Sequence, residues 1–141
     1  MAYQITLEEN PSAEDRAVIG NGLAQFGDAL FAGTSVTDVA VFVRDDAGAI
    51  VGGVLGNYGS FGWLYVDALW VGEELRGQSY GTRLLKMIEA EAARHGCRNV
   101  YLNTFSFQAP AFYEKLGYTV FAELEDFPPG HSRLFLRKRL S

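Results

Sequence analysis

Apolar and polar residues alternate over several short stretches of this chain and recur at helical spacing over others. Ala2 to Glu8 sets Tyr3, Ile5 and Leu7 between polar neighbours, the period of a half-buried strand. Pro11 and Ser12 end it, and Ser12 is placed to cap a helix beginning Ala13-Glu14-Asp15. That helix carries Val18, Ile19, Leu23, Phe26 and Leu30, with Gly20, Gly22 and Gly27 as points where it is expected to break. Val36 to Arg44 and Ala49 to Leu55 read as strands joined by the hairpin turn Asp45-Asp46-Ala47-Gly48. Gly52 and Gly53 inside the second suggest a bulge or a close neighbour. A turn from Asn57 to Gly62 leads into a third strand, Trp63–Val71, which completes an antiparallel meander.

The third strand alternates, with Leu64, Val66, Ala68 and Trp70 on one face and Tyr65, Asp67, Leu69 and Val71 on the other. Asp67 is a carboxylate in an apolar run. Burial there would favour its protonated form and make it a candidate general base near neutral pH. The competing reading is a structural carboxylate bonded to a nearby turn. A helix from about Gly81 to His95 buries Leu84, Leu85, Ile88 and Ala92, sets Lys86 and Glu89 together on its wet side, and ends at Gly96 as a left-handed cap. Asn99 to Phe105 is the next strand, so strand, helix and strand form a parallel β–α–β unit with a right-handed crossover. A short helix follows from Gln108 to Gly117, with Pro110 in its first turn, Phe112 and Leu116 facing inward and Tyr113 at the edge of that face. Tyr118 to Asp126 and His131 to Arg139 are the last strands, joined through Pro128-Pro129-Gly130. The sum is an α/β (α+β) chain with a mixed sheet of about seven strands and flanking helices.

Composition narrows the class. The chain has 141 residues, enough for one domain with a core, and is 48% hydrophobic and 21% charged. A net charge of −5 argues against a nucleic-acid partner. One cysteine excludes an intramolecular disulfide framework, and no apolar run reaches the roughly 18 residues of a membrane span. No metal-ligand spacing stands out. The default is a cytoplasmic enzyme or binding protein.

The chemistry concentrates between the third strand and the helix after it. Arg76, Gly77, Gln78, Ser79, Tyr80, Gly81 and Thr82 form a short loop and the first helical turn. Small residues let backbone N–H groups approach a ligand closely, and the helix start adds unpaired N–H groups at a positive dipole end. Such a place suits a phosphate, with Arg76 as a charge-assisted partner, although glycines also serve plain turns. The loop lacks the Gly-Lys-Ser/Thr end of a Walker motif, and its glycines do not fit the dinucleotide fingerprint.

The loop resembles the acetyl-CoA motif of the GCN5-related N-acetyltransferase (GNAT) family, Arg/Gln-x-x-Gly-x-Gly/Ala, with Ser79 in place of a usual glycine. A second block is similar too, and more specific: Asn103, Ala109, Tyr113, Gly117 and Tyr118 stand at the family's spacing. The resemblance runs from about Val36 to Arg139. It implies the GNAT fold, in which the two parallel strands splay and pantetheine enters the gap against Leu69, Trp70 and Val71. It implies acetyl-CoA as co-substrate, no metal, and acetyl transfer to a primary amine, with Tyr113 as general acid and Asn103 and Ala109 lining the pantetheine side. The acceptor would lie near Phe26, Asp67, Glu125 and His131, with Asp67 or Glu125 as candidate base. A small-molecule amine is the expected acceptor and a homodimer a family habit. Protein lysines or N-termini are the alternative acceptors, and a CoA-binding module without turnover is the rival from another class.

Overall fold

The computed structural model describes residues 2–140, apart from the side chain of Asp28. They fall into two units divided after Thr34. In the first, α1 (Ala13–Phe26) starts as expected, with the Ser12 hydroxyl accepting from the Asp15 N–H at 3.0 Å and Glu14 and Asp15 in the first turn. The helix runs through Gly20 and Gly22 and breaks at Gly27, before the single-turn α2 (Asp28–Phe31). The strand expected from Ala2 to Glu8 does not form. Alternation supplies two faces, but a strand also needs a ladder partner for its N–H and C=O groups, and these residues have none.

The second unit is a six-stranded sheet, one strand fewer than expected, in the order β1-β2-β3-β4-β6-β5. Its strands are β1 (Val36–Arg44), β2 (Ile50–Gly59), β3 (Trp63–Val71), β4 (Asn99–Phe105), β5 (Thr119–Glu125) and β6 (Ser132–Arg139). β1 to β3 form the expected meander. The first turn is held by Asp45 Oδ1, which accepts from the N–H groups of Ala47 and Ala49 at 2.9 Å each. β2 is longer than its apolar run suggested, because Gly56, Asn57 and Gly59 still find ladder partners. Both readings of the Gly52–Gly53 pair apply. Val51 is an extra residue opposite Val43 and Arg44, and a Cβ on Gly53 would stand 3.0 Å from the Val41 carbonyl oxygen.

The parallel pair β3–β4 is bridged by α3 (Tyr80–Arg94), as the β–α–β reading expects. Leu84, Leu85, Ile88 and Ala92 are buried on its inner stripe against Val54, Leu64, Val66, Val100, Leu102 and Leu136. The helix closes on Gly96 at φ +92°, with Cys97 N–H reaching the Ala92 carbonyl at 3.0 Å. Glu89 is not on the wet side. It is buried, takes a 2.5 Å hydrogen bond from the Tyr118 hydroxyl and pairs with Lys138 Nζ at 2.9 Å. A buried carboxylate needs such partners, and these come from other elements of the fold. The short helix α4 (Pro110–Lys115) packs Phe112 and Leu116 against the same core. Among the described residues, no helix is long and apolar enough to cross a membrane.

Candidate active site

The site begins with a register change. Leu55 pairs with Ala68 but Gly56 pairs with Val66, so Asp67 is an extra residue in β3. One added residue reverses which face the following side chains take. Leu64 and Val66 are buried before it; after it Leu69 and Val71 pack on the core while Trp70 is exposed. The single alternation expected for this strand therefore holds only on each side of Asp67. Gly56 makes the bulge possible, since a Cβ there would lie 2.6 Å from the Tyr65 carbonyl oxygen. Asp67 is exposed, which corrects the expected burial and removes the argument for its role as base that rested on burial.

Pairing of β3 with β4 stops at the same place, at Val66 with Leu102. Beyond it the strands no longer pair, and the facing edge of β3 past the bulge is left free, its other edge being held by β2. The opening holds a cavity of about 360 Å³ lined by Val66–Leu69, Leu102–Phe105, Gln108, Ala109 and Tyr113. A second cavity, about 600 Å³, is lined by Leu69, Trp70, Val71, Leu75, Arg76, Gly77, Ser79, Tyr80, Gly81, Thr82, Ala109 and Phe112. Leu69 and Ala109 belong to both, so the two form one cleft from the start of α3 to Tyr113.

At the α3 end, Gly77 has φ +76° and Ser79, the N-cap, φ +68°. Two left-handed residues so close turn the chain sharply into the helix. The first N–H to close onto the loop is that of Arg83, on the Ser79 carbonyl at 3.0 Å, which leaves the first-turn N–H groups directed out of the helix end. Arg76 Nε donates to the Val71 carbonyl at 3.2 Å and ties the loop to the end of β3. Gln78 does not line the cleft; its amide donates to the Glu74 carbonyl at 3.0 Å. Gly81 is pressed by α4, where a Cβ would meet the Phe112 ring at 3.3 Å.

At the other end, Tyr113 is half-buried between Phe112 and Tyr118, with ring centroids 5.1 and 5.8 Å away. Its hydroxyl has no hydrogen-bond partner among the described residues. Burial pushes its pKa above the usual tyrosine value, so it stays protonated and able to donate. Asn103 is held on both sides: its amide donates to the Tyr65 hydroxyl at 3.3 Å and its Oδ1 accepts from Arg133 Nε at 3.0 Å. Cys97 is buried in the core, and burial raises its pKa, which favours the unreactive thiol.

Of the acceptor-side candidates in the second unit, one lines the cleft and two do not. Asp67 lines the cleft, while Glu125 at the end of β5 and His131 in the following turn are exposed and line neither cavity. The His131 ring stands edge-on to Phe107, centroids 5.0 Å apart. Phe26 is the last residue of α1, in the first unit. Gln108 escaped the sequence reading. Its Oε1 accepts from the Thr104 hydroxyl at 3.0 Å and the Phe105 N–H at 3.1 Å, shaping the turn between β4 and α4. A glutamine three residues past a strand end was the available signal.

Comparison with known proteins gives the family. A model of the acetyltransferase (GNAT) family matches residues 3–118. An acetyltransferase of Agrobacterium fabrum is 34% identical over 133 residues, 94% of this chain and 96% of the relative. A blasticidin-S acetyltransferase of Streptomyces morookaense is 38% identical over 102 residues, 72% of this chain and 74% of the relative. The crystal structure of a Bacillus cereus acetyltransferase superposes with a TM-score of 0.86 at 38% identity, covering 96% of this chain and 98% of that one. The chain belongs to the acetyltransferase (GNAT) family. It is an acetyl-CoA-dependent N-acetyltransferase.

Proposed function

We propose that this enzyme acetylates a primary amine on a small molecule by direct transfer within a ternary complex, with Tyr113 as general acid. The observation that carries the reading is the free, half-buried Tyr113 hydroxyl at one end of a cleft whose other end is the α3 start. The residues fit acetyl-CoA. First-turn N–H groups of α3 suit its diphosphate, with Arg76 and Thr82 beside them. The unpaired edge of β3 at Leu69–Val71 offers backbone groups to pantetheine, and Asn103 and Ala109 wall its far side. When bound, acetyl-CoA supplies the activated acetyl group as a thioester.

The protein's own groups then have three tasks. An amine attacks only when neutral, so a proton acceptor must serve it. Asp67 is the candidate that lines the cleft, and its exposure leaves room for a water between carboxylate and amine. A main-chain N–H on the free edge of β3 stabilises the charge that develops on the carbonyl oxygen. The Tyr113 hydroxyl donates to the departing sulfur. Cys97 is shut in the core with only a raised pKa, which favours direct transfer over an acyl-cysteine. The blasticidin-S acetyltransferase relative supports a small-molecule acceptor.

Tyr113→Phe, assayed by thiol release from acetyl-CoA across an amine panel, tests the assignment. The expected result is a kcat about 10²-fold lower at unchanged CoA affinity. A variant as active as the parent would remove the tyrosine from the mechanism.

A further inference from the structure

Arg133 on β6 carries a charge that no carboxylate of the described residues answers. Its Nε donates to Asn103, a wall of the cleft, and its Nη1 and Nη2 make no hydrogen bond among those residues. It stands opposite Phe105, another cleft residue, in the β4–β6 register. The guanidinium carbon lies over three rings, Phe105 at 5.8 Å, Phe127 at 5.2 Å and Phe135 at 5.5 Å. Rings against its faces strip hydration from the group but accept no N–H bond at its edge. What remains is a half-buried fork with two unused N–H-bearing nitrogens, next to Asn103 and Phe105 of the cleft that Asp67 also lines. A planar carboxylate is the group that matches such a fork.

We propose that the Arg133 edge is the acceptor-recognition subsite and takes a carboxylate, so that the acceptor is an aminocarboxylate, its amine toward Asp67 and Tyr113 and its carboxylate on Arg133. This rests on the amine-acetylation reading above. Nearby acidic side chains do not hold the fork: Glu123 is engaged with the Ser132 hydroxyl at 2.7 Å, and Glu125 makes no hydrogen bond or ion pair with Arg133.

The test is thiol release from acetyl-CoA with amino acids and, for each, the amine left by removing its carboxyl group. In the wild type, the amino acids are expected to show kcat/KM at least about tenfold higher than their decarboxylated partners. In Arg133→Met, the kcat/KM ratio between each amino acid and its decarboxylated partner is expected to fall to about one, a ratio that any loosening of Asn103 would leave alone because it acts on both members alike. Arg133→Lys keeps the charge without the fork and is expected to recover only part of the preference. Equal turnover of both members of each pair in the wild type, or a preference that survives Arg133→Met, overturns the subsite and leaves acetyl transfer standing. The wild-type comparison needs no folded variant. Absence of thiol release with every amine, on protein that still binds CoA, overturns the small-molecule acceptor reading and the subsite with it.

Discussion

Ser79 holds a conformation suited to glycine, and replacing it should stabilise the protein. At φ +68° and ψ 15° its Cβ crowds the backbone, and its hydroxyl makes no capping bond in return. The left-handed conformation costs a non-glycine residue roughly 1–2 kcal/mol. Glycine restores about 0.4–1 kcal/mol of freedom to the unfolded chain, which offsets part of the relief. The net for Ser79→Gly is about 0.5–1 kcal/mol of added stability. Unfolding entropy of ~2.1 cal/mol/K per residue makes about 0.3 kcal/mol/K for a chain of this length, so Tm should rise by about 2–3 °C. Ser79→Ala keeps the strain and should leave Tm in place. The assay is thermal unfolding of ligand-free protein by circular dichroism. Because the positive φ is present without ligand, binding has no further strain to relieve, and the Kd for CoA should stay within about twofold. A Tm for Ser79→Gly at or below the parent's would refute the strain argument.

Other expectations follow from the same geometry. Gly56→Ala drives a Cβ into the Tyr65 carbonyl and should lower stability by about 1–3 kcal/mol, read as a lower urea midpoint. Lys138→Met leaves Glu89 buried with only the Tyr118 hydroxyl and should cost about 2 kcal/mol; an unchanged midpoint would show that solvent serves Glu89 as well as the lysine does. Burial raises the pKa of both Tyr113 and Tyr118, in Tyr118 with the Glu89 carboxylate adding to it. The unfolded chain then releases these protons first, so stability is full below pH 10 and declines as pH rises above it. For the same reason the alkaline fall of kcat should begin above pH 10 if Tyr113 is the acid, and a limb below that value would assign the titration to another group.

Much of this architecture was legible from local chemistry. The spans of β1 and β3, the Ser12 cap, the Gly96 stop and the crossover helix all follow from period and capping residues close by in the chain. What escaped depends on distant partners. The reversal of faces at Asp67 is set by pairing with Gly56, and alternation within β3 carries no trace of it. Glu89 looked solvated beside Lys86 because its partners, Tyr118 and Lys138, lie far along the chain. Ala2 to Glu8 had the alternation of a strand without a neighbour to complete it. The loop from Arg76 to Thr82 lines the cleft at every position but Gln78, since spacing reports which residues reach a turn and not where each side chain is tethered.

The bulge at Asp67 makes the cleft a matter of counting. Delete that one amino acid and β3 would zip onto β2 without interruption, Leu69 and Val71 keeping the inner face and Trp70 the outer one, while the wedge between the parallel strands would lose its cause. Relatives should therefore tolerate swaps of side chain at this point far better than a change in length, and a designer wishing to abolish the enzyme while keeping its scaffold would need only to shorten it there.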